Sequence, residues 1–142
     1  DPAFFAHLRE LVLSQPPEAF DNVMRAMLVG ELYEWIGKLR NARNSGHTAY
    51  IPLLACHFAE FGALLLGIAH RYCYTTGAKM LEEALQLPNQ PSGYAELCAL
   101  VMKGQLGDSE QVAATVERCW TGMGAWAIAN GLTMDEYNRW PL

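Results

Sequence analysis

IPLLACHFAEFGALLLGIA, residues 51–69, is the stretch on which the rest of the chain depends. It is apolar on nearly every side of a helical projection. Such a helix is surrounded by other helices or by a partner subunit. It is nearly long enough to cross a membrane, but it carries Pro52, His57 and Glu60 and has no flanking basic clusters. The reading is therefore a buried central helix from near Ile51 to about Tyr74, capped by Thr48, with Pro52 tolerated in its first turn.

Upstream, the period of three and four in Phe4, Phe5, Leu8 and Leu11/Leu12 predicts a short helix over about 3–13, with Asp1 and Pro2 as cap and first turn. Pro16 and Pro17 break this pattern and restart it as a long helix to about Arg43, which NARNSG at 41–46 terminates. Downstream, Thr75 and Thr76 offer a cap for a helix from Gly77 to about Leu87. LPNQPSG at 87–93 reads as a loop, and Tyr94 to about Lys103 as a short helix closed by Gly104. Asp108 with Gln111 has the spacing of a capping box for a last helix ending near Gly131, and residues 132–142 read as an irregular end. No alternating strand pattern occurs. The expected fold is all-α, an antiparallel bundle of five to six helices with two long central ones.

At 142 residues the chain is long enough for one domain with its own core. Its formal net charge of −5 argues against a protein that tracks nucleic-acid phosphates and is compatible with a cationic partner. Cys56, Cys73, Cys98 and Cys119 form no CxxC pair, so a zinc site is not expected. They read as reduced thiols in the apolar helices of a cytoplasmic protein. His57 and His70 are too far apart in helical phase to be a metal pair. No phosphate-binding glycine loop, HExxH or GxSxG is present. The aromatic set Tyr33, Trp35, Trp120 and Trp126 reads as core.

The candidate chemistry lies in GELYEWIGKLRN, residues 30–41. Glu31, Glu34 and Lys38 share an arc of roughly 60° beside Met24, Leu28 and Trp35. A carboxylate half-dried against Trp35 would have its pKa raised, and Lys38 would lower it. The ordinary alternative is an exposed Glu–Lys pair worth about 0.2–0.5 kcal/mol. A second, looser pattern is Arg40 followed by His47 near a helix end, as in the HEPN ribonucleases.

Longer segments carry a stronger resemblance. LVGELYEWIGKLRN (28–41), GIAHRYCYTTGAKMLEEAL (67–85), PSGYAELCALVMKGQLGDSE (91–110) and the ending RWPL are similar to the C-terminal domains of the kanamycin nucleotidyltransferases, the aminoglycoside 4′-adenylyltransferases. The similarity runs from about Phe20 to the end. It implies that the whole chain, 1–142, is the helical substrate-binding and dimerisation half of a longer enzyme that transfers AMP from ATP, with Mg2+, to an aminoglycoside. It implies further that Glu34 is the general base, that Glu31 and Glu34 bind the drug, and that Lys38 approaches the nucleotide phosphates. Mg2+ and most of the ATP contacts would belong to an N-terminal catalytic domain that this sequence lacks, and the active site would be completed in a homodimer. Gly30 departs from the family, which can carry a further acid there. The chain is expected to be inactive alone. The alternatives are a free-standing helical partner of a separate nucleotidyltransferase and the ribonuclease built on Arg40 and His47. Neither nucleic acid nor a membrane is an expected partner.

Overall fold

The computed structural model describes residues 1–132, and among them there are helices and turns but no strand. The elements are α1 (Pro2–Leu13), α2 (Pro17–Ala26), a π-helical segment (Met27–Leu32), α3 (Tyr33–Ser45), α4 (Ile51–Ala69), α5 (Met80–Ala84), α6 (Tyr94–Met102) and α7 (Ser109–Ala129). The segments from Pro17 to Ser45 join without a break in helical backbone, so the described residues form six rods, as expected for an all-α bundle. The tail beyond Leu132, including RWPL, lies outside the described residues.

α4 is the axis. It contacts α2, α3, α5, α6 and α7, and Ile51, Leu54, Ala55, Phe58, Ala59, Gly62, Ala63, Leu65, Leu66 and Gly67 are all buried. By length and composition Thr48–Ala69 could cross a membrane, and in this fold 56% of its apolar window is buried. Gly62 sits where α4 meets α6 and α7: a Cβ there would come within 2.6 Å of the Tyr94 ring and 2.7 Å of Met123 Cε. Tyr94 is fully buried and donates its hydroxyl to the Ala59 carbonyl, which satisfies its one polar atom.

Three boundaries differ from expectation. α4 ends at Ala69, not near Tyr74. Arg71 takes a left-handed φ of 50°, and the Tyr72 and Arg71 amides donate to the Gly67 and Ile68 carbonyls in the paired pattern that closes a helix. The chain then folds back so that the Tyr74 hydroxyl donates to the Ala63 carbonyl. That turn puts Cys73 outside the helix and exposed, whereas Cys98 and Cys119 are buried as expected and Cys56 is half-buried. Thr48 does not cap α4. It opens a 3-10 turn, Thr48–Tyr50, that runs into the helix. The predicted helix from Gly77 to Leu87 shrinks to a 3-10 turn, Gly77–Lys79, followed by α5. Other signals hold. Asp108 Oδ1 accepts from the Glu110 and Gln111 amides at 3.1 and 3.0 Å, and Gly46, Gly104 and Gly131 end their helices with positive φ.

α3 and α7 are joined at the surface by two ion pairs. Arg40 donates twice to Glu117, at 2.8 Å each, and Arg43 donates to Glu110 at 2.6 Å. The hydrogen bonds from Arg40 hold the Glu117 carboxyl below its usual pKa. A lowered carboxyl pKa stabilises the fold above the unfolded value of about 4.3, and that stabilisation is lost as pH falls through the folded value. A partly exposed pair of this kind contributes about 0.5–1 kcal/mol. Glu117→Gln is therefore expected to lower Tm by about 3 °C at pH 7. The difference should shrink as pH falls below the usual carboxylate range, and losses that do not change with pH in thermal melts would count against the pair.

Candidate functional site

Met24, Leu28, Leu32 and Ile36 recur at every fourth residue, and all four are buried. On an α-helix such a row drifts by about 40° per step and would spiral off the core. The π-helical segment, Met27–Leu32, removes that drift because its i→i+5 turns hold about one more residue each. The row stays on the core, and Gly30, Glu31 and Glu34 stay in solvent. The spacing of four, four and four was the available sequence signal for this turn. A continuous α-helix was the simpler reading and missed it.

Glu34 and Lys38 form an ion pair at 2.6 Å, with side chains 59% and 40% exposed. Lys38 Nζ also lies 4.3 Å from the centroid of the Trp35 ring. The hydrogen bond that Lys38 donates to Glu34 raises the Lys38 pKa, with further Coulombic support from Glu34, Tyr50 and Glu31. The three residues of the stripe thus form one electrostatic group. The carboxylate of Glu34 is not dried against Trp35, which corrects the sequence expectation. A cation is attracted to an indole face and a carboxylate is not, so the ammonium takes that place.

Trp35 is half-buried, and two residues of α4 cover it. The His57 ring stacks on it at 4.5 Å and 18°, and the Phe61 ring stands 6.2 Å away. From the sequence, His57 is weighed only as a metal partner of His70 and is not connected to Trp35, because the contact spans two helices. The other aromatics divide. Trp126 is core and donates its Nε1–H to the Asn89 carbonyl at 2.6 Å, and Trp120 packs edge-on to Phe58. Tyr33 is largely exposed, contrary to the core reading.

Arg40 is engaged by Glu117, and His47 Nδ1 lies 3.1 Å from Ser45 Oγ. Nothing in this arrangement brings the two together as a nuclease pair. Among the described residues no three His, Cys, Asp or Glu side chains are grouped to hold a metal ion.

A model of the KNTase C-terminal domain family matches residues 2–133. The chain belongs to that family. Two curated relatives, each named aminoglycoside nucleotidyltransferase (4′), from Staphylococcus aureus and a Bacillus species, are each 42% identical to it over 124 residues. The alignment covers 87% of this KNTase C-terminal domain and 49% of each relative, so the chain spans about half the length of the curated relatives it matches. The stripe of Glu31, Glu34 and Lys38 therefore belongs to a KNTase C-terminal domain, on an exposed face of its second rod.

Proposed function

We propose that this domain is the drug-binding, base-carrying half of an aminoglycoside 4′-O-nucleotidyltransferase that transfers AMP from MgATP to kanamycin-type antibiotics in the cytoplasm. The observation that carries this reading is the 42% identity to two aminoglycoside 4′-nucleotidyltransferases over most of the chain. The exposed acid–lysine stripe supports it, because groups that meet a substrate shared with another domain must stand at the surface.

An aminoglycoside is a polycation, and Glu31 and Glu34 offer it charge-assisted hydrogen bonds. Glu34 accepts the proton of the sugar hydroxyl as its oxygen bonds to the α-phosphorus. The bond from that phosphorus to the bridging oxygen breaks, and pyrophosphate leaves with the electron pair. Lys38 faces the negative charge of the nucleotide phosphates. In the free domain Lys38 is paired with Glu34. Phosphates brought by the catalytic domain would draw the ammonium away and leave the carboxylate free to act as base. Magnesium is assigned to the catalytic domain, since no three metal-binding side chains are grouped among the described residues. A homodimer would bring the catalytic domain of one subunit over this face of the other.

The test is an adenylylation assay with kanamycin and MgATP. The full-length polypeptide carrying this domain is expected to modify the drug, and the domain alone is not. Turnover by the isolated domain would overturn the division of labour, and no modification by the full-length polypeptide would overturn the substrate.

A further inference from the structure

The Trp35 indole carries a cation and is held in place by a different helix. His57 and Phe61, one turn apart on α4, hold it by one stacked and one tilted ring contact. Its Nε1–H is buried and has no hydrogen-bond partner. Trp35 is therefore fixed by ring packing alone. Lys38 Nζ rests at 4.3 Å from the ring centroid while reaching Glu34 at 2.6 Å.

We propose that Trp35, clamped by His57 and Phe61, is a positioning residue that seats the Lys38 ammonium for the nucleotide phosphates. The proposal rests on the reading of Lys38 given above and adds a reason for the indole. A general base cannot at the same time remain the anchor of a lysine. When Glu34 turns to the drug hydroxyl, Lys38 loses its carboxylate partner, and a flexible four-carbon side chain would then wander through its rotamers. An aromatic face attracts the ammonium without supplying a negative charge that competes with the phosphates. The indole restricts Lys38 near the position from which it meets the nucleotide. Burial against α4 keeps the indole from following the lysine.

The test is a double-mutant cycle in the full-length polypeptide, reading kcat and the separate KM values for nucleotide and drug. Trp35→Leu is expected to raise the nucleotide KM about fivefold and to leave the drug KM within about twofold. Trp35→Phe should restore most of the loss. On a Lys38→Met background, Trp35→Leu should cost nothing further, because its effect passes through the lysine. Multiplying effects of the two substitutions, or a drug KM that rises as much as the nucleotide KM, would overturn the positioning role. An unchanged nucleotide KM in Lys38→Met would instead remove Lys38 from the nucleotide site, and the proposal would fall with it. Should Trp35→Leu not fold, His57→Leu loosens the clamp from the other helix, and the same cycle with Lys38→Met applies with the same outcomes.

Discussion

Glu34→Gln in the full-length polypeptide is expected to lower kcat by about two orders of magnitude or more while changing the KM for kanamycin little. A sugar hydroxyl is a weak nucleophile at neutral pH, and a positioned base that removes its proton in the transition state contributes typically about 10²- to 10⁴-fold. Glutamine keeps the size of the side chain and an oxygen that accepts a hydrogen bond from the hydroxyl, but it cannot take the proton. Glu31 retains its charge for the drug's ammonium groups. Because Glu34 is 59% exposed and sits on the surface, the substitution leaves the packing of the rod untouched. Melting temperatures of the two proteins should agree within about 2 °C, which separates loss of chemistry from loss of fold. A kcat equal to that of the wild type would remove Glu34 from the mechanism and leave the Glu34–Lys38 pair as surface decoration.

The largest expected loss of stability lies far from that site, at Gly122. Here the loop before α6 rests directly on α7. A Cβ on Gly122 would overlap the Ser92 carbonyl oxygen and stand 2.8 Å from its carbonyl carbon and 2.9 Å from its amide nitrogen. Those are backbone atoms, so no flexible side chain can swing aside. The next residue of the loop, Gly93, has φ of 81° and faces the backbone of Cys119 one turn earlier on α7, so two consecutive loop residues rest on that helix. Gly122→Ala must push the loop off the helix, and overpacking of this kind costs about 3 kcal/mol. The expected fall in Tm is about 10 °C. Gly124, two residues on, is the control, since a Cβ there meets nothing within 4 Å. Gly124→Ala should hold or raise Tm, because alanine is the better helix former. If Gly122→Ala melted together with Gly124→Ala, the loop could not be seated on α7 as described.

The sequence was legible wherever a signal is local. The capping by Asp108, the stops at Gly46, Gly104 and Gly131, and the apolar run of 51–69 each depend on residues within one or two turns, and the helices formed where those signals lie. The misses have separate causes. Arg71 ends α4 in a conformation usually left to glycine, and its guanidinium rests 4.5 Å from the Phe20 ring on another helix, a contact invisible to local propensity. Thr48 has the right residue type for a cap, but the 3-10 turn it opens moves the start of α4 beyond its reach.

What the sequence by itself determined was an all-helical chain, the place of its central helix and the residue types of an acid–lysine stripe in a KNTase C-terminal domain. Those follow from periodicity and from matched segments, which survive in one dimension. The tertiary structure alone decided the surroundings of that stripe. Glu34 is exposed and Lys38 takes the indole because His57 and Phe61 reach Trp35 from α4, and the π turn at 27–32 holds the apolar row on the core. A side chain's partners depend on which helices lie beside it, and that is fixed only when the bundle closes.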